Sequence, residues 1–155
     1  MAIEFSLDAT LPAPPDRVFE ALTNVAGYGQ WMPGLVDATV LTEGEFGVGT
    51  EFQETRRMFF RNATERFRVT ACEPPQTLEL TVDGSQGSSG SGHYRFSYHL
   101  EPRDDGGTQM SLRGEIGGMN RIMEFLGRLM MFTMTRALRK DHAALSAHLA
   151  AADPQ

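Results

Sequence analysis

The sequence has one cysteine, Cys72, and its aromatic residues are mostly phenylalanine. A single cysteine excludes an intramolecular disulfide framework and a cysteine-rich zinc site. Basic residues are also in the minority, because 14 lysines and arginines stand against 20 acidic residues and give a net charge of -6. A general nucleic-acid binder needs a basic surface to displace counterions from phosphates. The composition therefore argues against nucleic acid as a partner.

Long apolar runs are absent as well. No stretch reaches the ~18 uninterrupted apolar residues that indicate a transmembrane helix, so we expect no integral membrane association. The first residues, MAIEFSLD, have neither the basic nor the apolar region of a signal peptide. We therefore expect a cytoplasmic protein.

Devices for holding a cofactor or a metal are missing too. The segment 44–49 contains neither a phosphate loop nor a dinucleotide fingerprint between a strand and a helix. The histidines, at His93, His99, His142 and His148, form no metal pair or catalytic triad by spacing, and we interpret them as solvated. We expect no cofactor and no metal.

What is present suits one globular domain over residues 1–155, with 41% hydrophobic and 22% charged residues. Nine methionines and ten phenylalanines, against one tryptophan and three tyrosines, indicate soft and adaptable apolar surface. Methionine in particular fills irregular gaps and lines promiscuous binding surfaces.

Hydrophobic periodicity predicts an α+β fold. Alternating residues predict a strand over 3–9, and Pro15-Asp16 is typical of a helix start. A second helical turn is expected over 27–34. Further strands are predicted over 35–43, 50–60, 62–73, 76–83, 93–100 and around 110–116, followed by a helix over about 119–150. Consecutive strands with short turns predict an antiparallel meander of about six strands, which with the first strand makes a sheet of about seven.

The C-terminal helix offers more apolar surface than one packing face needs. Its broad apolar face comprises Met119, Ile122, Met123, Leu126, Leu129, Met130, Thr133 and Ala137. Phe125, Met131, Phe132 and Met134 lie on other faces. A second packing layer, a homodimer interface and the wall of an apolar cavity each account for this excess. A twisted sheet that curls around a long helix leaves a hollow between the two, which favours a ligand pocket.

Several short motifs resemble the START-like (SRPBCC) superfamily, and its polyketide cyclase/dehydrase and lipid-transport branch in particular. They are the run PDRVFEALTN from Pro15, Trp31-Met-Pro33, Val48-Gly49 before a strand, Glu73-Pro-Pro75 after one, and the long last helix. The resemblance covers essentially the whole chain. It implies a helix-grip fold, a curved antiparallel sheet wrapped around the C-terminal helix, with two short helices after the first strand. Members of the superfamily include lipid carriers, polyketide aromatase/cyclases and chaperone activators.

Strand alternation gives a set of candidate polar groups. If Tyr94, Phe96 and Tyr98 face inward, the neighbouring strands send Glu54, Arg56 and Glu65 to the same side, provided that no bulge reverses the register. A buried arginine survives only when it is paired with carboxylates. The candidate catalytic residues are Arg56, Glu65, Tyr94 and Tyr98. An exposed ladder of cross-strand charge pairs is the alternative interpretation.

The predicted ligand site combines these groups with apolar residues of the sheet and the helix. It comprises Trp31, Phe52, Glu54, Arg56, Met58, Glu65, Phe67, Leu80, Tyr94, Phe96, Tyr98, Met110, Leu112, Ile122, Met123, Leu126, Leu129, Met130 and Thr133. The segment 84–92, rich in glycine and serine, is interpreted as a flexible hairpin tip, or alternatively as a mobile rim over the pocket.

Three functions remain open. The first is transport or sequestration of a small hydrophobic molecule such as a lipid, a polyketide or an aromatic compound. The second is a cofactor-independent polyketide aromatase/cyclase or dehydrase that uses acid–base residues in the same cavity. The third is a protein-interaction module that docks through the Met- and Phe-rich helix surface.

Overall fold

The structure is a computed structural model that describes residues 3–58, 60–118 and 121–152. Its strands are β1 (Ile3–Leu11), β2 (Leu35–Val40), β3 (Glu51–Met58), β4 (Arg61–Glu73), β5 (Thr77–Asp83), β6 (His93–Pro102) and β7 (Thr108–Gly117). Its helices are α1 (Pro15–Thr23) and α2 (Arg121–Ala152), with short 3₁₀ helices at Val25–Gln30 and Gly84–Gln86.

All seven strands form one antiparallel sheet in the order β1-β7-β6-β5-β4-β3-β2. From β2 to β7 each strand pairs with the next one along the chain, because the connections between them are short. β1 then adds to the far edge beside β7. This arrangement confirms the predicted meander.

Alternation of apolar and polar residues decides which face of the sheet is buried. In β5, Leu78, Leu80 and Val82 are buried while the residues between them are half-buried. β1 shows the same period of two. The apolar face therefore lines the interior of the molecule.

α1 packs against β6 and the 3₁₀ helix that follows it. Pro15 occupies its first position, where a missing N–H is harmless, and Asp16 lies at the positive end of the helix dipole. Val18, Phe19 and Leu22 form its buried side, and Asn24 caps it. The following helical turn was expected over 27–34, but it lies earlier, as the 3₁₀ helix Val25–Gln30. Pro33, which has no N–H to donate, lies beyond its end.

α2 has 32 residues, so it is ~48 Å long. Its C-terminal half packs into the core through Leu145 and Leu149, and the helix contacts β1. The described side chains of its N-terminal half are mostly exposed or half-buried. Met119, where the predicted helix begins, lies outside the described residues.

Candidate functional site

A cavity of about 470 Å³ lies between the sheet and α2. This volume falls within the ~300–1,000 Å³ that is typical of ligand pockets. Five strands, from β3 to β7, contribute side chains to its wall, and α2 covers it. The wall is mostly apolar, with a small group of charged and hydroxyl-bearing side chains.

Twelve of the predicted site residues line this cavity. They are Trp31, Phe52, Glu54, Arg56, Glu65, Phe67, Leu80, Tyr94, Phe96, Tyr98, Leu126 and Thr133. The strand register explains why the predicted residues of the sheet face the cavity together. Phe52 pairs with Phe67, and Glu54 pairs with Glu65, on the neighbouring strands β3 and β4. A register shift in β4 does occur, but it lies between Val69 and Ala71, beyond these residues.

Other predicted residues lie elsewhere. Met110 and Leu112 are fully buried and are not among the residues that line the cavity. They belong to β7, next to β1, where α2 packs against the edge of the sheet and leaves little space. The remaining side chains lie outside what the structure describes: Met58, Ile122, Met123, Leu129 and Met130.

The charged group in the wall is centred on Arg56. Its Nε donates to Glu54 Oε1 at 2.6 Å, and its Nη1 donates to Asp141 Oδ1 at 3.1 Å. Arg56 Nη2 also lies 2.8 Å from Asp141 Oδ2, so the contact with Asp141 is bidentate. The pairing joins strand β3 to the covering helix α2. Because Glu54 and Asp141 are only 8% and 6% exposed, the cluster is largely withdrawn from water.

Burial changes the proton affinity of every member of this cluster. Desolvation raises the pKa of Glu54 and of Asp141, although the Arg56 charge opposes the rise. Burial alone would lower the pKa of Arg56, but its two carboxylate partners outweigh that effect and raise it. Arg56 therefore stays protonated between two carboxyl groups that hold protons more readily than usual.

Two tyrosines lie in the same electrostatic environment. Burial first, and the charges of Glu54 and Asp141 second, raise the pKa of Tyr98. Burial likewise raises the pKa of Tyr28, whose hydroxyl donates to the carbonyl oxygen of Leu22. Both phenols therefore remain protonated near neutral pH and act as hydrogen-bond donors.

Aromatic rings form much of the apolar wall. The rings of Phe52 and Phe67 are stacked, with centroids 5.1 Å apart, and Tyr28 meets Phe52 edge-on at 6.1 Å. Phe96 continues the row, with its centroid 6.3 Å from that of Phe67. Offset aromatic pairs of this kind add stability beyond the area that they bury.

Glu65 lines the cavity, but its carboxylate accepts hydrogen bonds from a neighbouring loop. The loop between β5 and β6 contacts β4. Ser89 donates its backbone N–H to Glu65 Oε1 at 2.8 Å, and Ser88 donates to the carbonyl oxygen of Thr64 at 2.7 Å. Ser89 itself lines the cavity. Segment 84–92 is therefore a strap across one side of the cavity.

The C-terminal half of α2 contributes cavity residues that the sequence analysis missed. Asp141 and His142 line the wall, together with Ala137, Leu138 and Leu145. The prediction that His142 is solvated is wrong, because its side chain is only 8% exposed. Burial also lowers the pKa of His142 to about 4. The helical spacing could have indicated their burial. Asp141 and His142 each lie three or four residues from Leu138 and Leu145, which are on the buried side of the helix.

Within residues 3–58, 60–118 and 121–152, no group of three or more His, Cys, Asp or Glu residues is arranged to hold a metal ion. No helix in this described part is both long and apolar enough to span a membrane.

Residues 2–152 match the family described as "Polyketide cyclase / dehydrase and lipid transport". No curated protein matches the chain.

Several solved structures share the architecture. The Zhui aromatase/cyclase from Streptomyces sp. R1128 is 17% identical, with a TM-score of 0.79 over 96% of this chain and 94% of that one. TTHA0849 from Thermus thermophilus is 15% identical, with a TM-score of 0.79 over 98% and 100%. Ginseng major latex-like protein 151 from Panax ginseng is 13% identical, with a TM-score of 0.73 over 95% and 97%. At these identities the similarity shows the fold alone, and it confirms the predicted helix-grip architecture.

Proposed function

The chain belongs to the polyketide cyclase/dehydrase and lipid transport family of the START-like superfamily, and on that premise we propose that it binds a small, mostly apolar molecule in the cavity beneath α2. The cavity of about 470 Å³ between sheet and helix carries this proposal. Apolar walls with a few polar groups are the usual composition of small-molecule sites, since the walls give affinity and the polar groups orient the ligand.

The Glu54–Arg56–Asp141 cluster supplies the polar contacts. The carboxylates accept a hydrogen bond from a ligand hydroxyl, and the Tyr98 hydroxyl donates one to a ligand oxygen. Arg56 is already engaged by both carboxylates, so it holds them in place more than it attracts an anion. The cluster therefore suits a ligand with a neutral oxygen-bearing head and an apolar body.

Two alanines of α2 allow a matched test. Ala137 lines the cavity, whereas Ala143 is exposed on the same helix. Ala137→Phe fills part of the cavity, and Ala143→Phe adds the same ring to the surface. With N-phenyl-1-naphthylamine as the fluorescent probe, we expect saturable binding that Ala137→Phe weakens at least tenfold and Ala143→Phe leaves unchanged. Equal binding by both variants would contradict the cavity assignment.

The charged cluster favours a second candidate function, which is acid–base catalysis without a cofactor. Titratable groups with perturbed pKa values in a cleft are typical of active sites. Here burial raises the pKa of Glu54 and Asp141 toward the range in which a carboxyl group both takes and returns a proton. A cyclase or dehydrase uses this exchange at an enolisable carbonyl, with a tyrosine donor at the oxygen.

A carboxyl-to-amide substitution separates catalysis from binding. Glu54→Gln retains the shape of the side chain but cannot exchange a proton. With a synthetic poly-β-ketone as the probe substrate, a catalyst loses formation of the aromatic product in Glu54→Gln while it still binds N-phenyl-1-naphthylamine. Wild-type protein that binds the probe and yields no aromatic product points to binding alone.

A further inference from the structure

Three phenylalanines in the part of the chain that the structure describes are largely exposed to solvent. Phe60 is 99% exposed, Phe132 is 73% exposed and Phe125 is 64% exposed. Phe125 and Phe132 are seven residues apart on α2, so they lie on one side of the helix, ~10 Å apart. Phe60 lies in the turn that joins β3 to β4.

The sheet register brings Phe60 and the start of α2 to the same end of the molecule. Because neighbouring strands are antiparallel, the β3–β4 turn, the β5–β6 loop and the end of β7 all lie at the same end of the sheet. α2 begins four residues after β7 ends. Ala63, just inside the β3–β4 turn, and Leu126, one residue after Phe125, line the same cavity. Leu126 is itself 45% exposed, so the cavity reaches the surface beside this part of α2.

Positive charge is concentrated on the elements that carry these phenylalanines. Strands β3 and β4 and helix α2 contain ten of the 14 basic residues but only six of the 20 acidic residues. The rest of the chain is therefore strongly acidic. Arg57 and Arg61 are exposed on either side of the β3–β4 turn, and Arg121 is exposed at the start of α2. Basic residues thus flank the exposed rings.

We propose that this end of the molecule docks on an anionic lipid bilayer, with Phe60, Phe125 and Phe132 inserted among the acyl chains near the surface. Arginines beside the rings then meet lipid phosphates, an arrangement typical of interfacial anchors. The three rings border the cavity but are not among the residues that line it, so this proposal does not depend on the cavity being occupied.

Vesicle co-sedimentation of the full chain tests the proposal. We expect the protein to bind vesicles made of equal parts phosphatidylcholine and phosphatidylserine, and to bind pure phosphatidylcholine much more weakly. Phe60→Ser removes one inserted ring and is expected to weaken binding about tenfold. Arg61→Gln removes one surface cation and is expected to weaken binding about fivefold. High salt reduces binding for the same reason.

Val48 provides the control because it is 70% exposed but lies between β2 and β3, at the opposite end of the sheet. Val48→Ser is expected to bind vesicles as the wild type does. Absence of binding to the anionic vesicles would overturn the proposal. So would equal losses in Phe60→Ser and Val48→Ser, because the docking surface would then not be the one inferred.

Discussion

Removal of Arg56 tests the energetics of the charged cluster. Arg56→Met leaves Glu54 and Asp141 buried beside each other without their cation. Breaking a buried ion pair by removal of one partner lowers the free energy of unfolding by ~3–5 kcal/mol. The Arg56 side chain retains 22% exposure, so we expect the lower part of that range, about 3 kcal/mol, at neutral pH.

The sign of the pH dependence provides an independent check. Arg56 normally opposes the effect of burial on both carboxyl groups, so its loss raises the pKa of Glu54 and Asp141 further. When the pKa of a carboxyl group is higher in the folded protein than in the unfolded chain, the free energy of unfolding falls as the pH rises above the ordinary pKa of the group, about 4. The penalty of Arg56→Met should therefore be largest near neutral pH and smaller at acid pH.

Urea denaturation followed by circular dichroism measures both effects. Arg95→Met is the matched control, because Arg95 pairs with Glu115 at 3.5 Å on the exposed surface. Its removal is expected to change the free energy of unfolding by less than about 1 kcal/mol. A loss for Arg56→Met as small as that of Arg95→Met, and independent of pH, would refute the argument that the cluster is withdrawn from water.

Two further predictions concern residues around the cavity. Burial lowers the pKa of His142 to about 4. As the pH drops, the histidine of the unfolded chain is therefore protonated before that of the folded protein. The free energy of unfolding should fall by up to ~3 kcal/mol between about pH 6.5 and pH 4. In urea denaturation across this range, His142→Gln should be less acid-sensitive than the wild type, and equal sensitivity would contradict the burial argument. A side chain at Gly87 would meet Glu65 and lie 2.6 Å from the carbonyl oxygen of Thr64. Gly87→Ala should therefore release the strap and speed hydrogen exchange in segment 84–92. Gly29→Ala is the control, because a side chain there meets no neighbour, and it should leave the exchange unchanged. Unchanged exchange in Gly87→Ala would show that the strap does not depend on this close approach.

The fold could be predicted because its determinants are local. Alternation in residues such as Leu78, Leu80 and Val82 specifies a half-buried strand without reference to the rest of the chain. Pro15-Asp16 specifies a helix start in the same way. Short turns between strands then leave the meander as the simplest topology.

The sheet side of the site followed from the same alternation. Glu54, Arg56 and Glu65 were assigned to the interior by parity, and they do line the cavity. Parity holds there because the register shift of β4 lies past Val69. The partners of these groups could not be derived, since nothing local relates Arg56 to a residue 85 positions away on α2.

The helix side was less predictable. A helix that is apolar on several faces does not indicate which face meets the sheet, and the apolar pattern favoured its Met-rich N-terminal half. Among the described residues of α2, Leu145 and Leu149 of the C-terminal half belong to the buried core. Asp141 and His142 lie on that half, and their polar character made them resemble surface residues. Only the packing of α2 against the sheet identifies them as part of the cavity wall.

Methyl NMR of the methionines tests the central claim, binding of an apolar molecule in the cavity, most directly. Met32, Met131 and Met134 line the cavity, whereas Met110 is fully buried in the core and does not. During titration of ¹³C-methyl-methionine protein with N-phenyl-1-naphthylamine, we expect saturable shifts of the three cavity methyl groups and an unchanged Met110 signal. Unshifted cavity methyl groups at saturating probe would contradict the account.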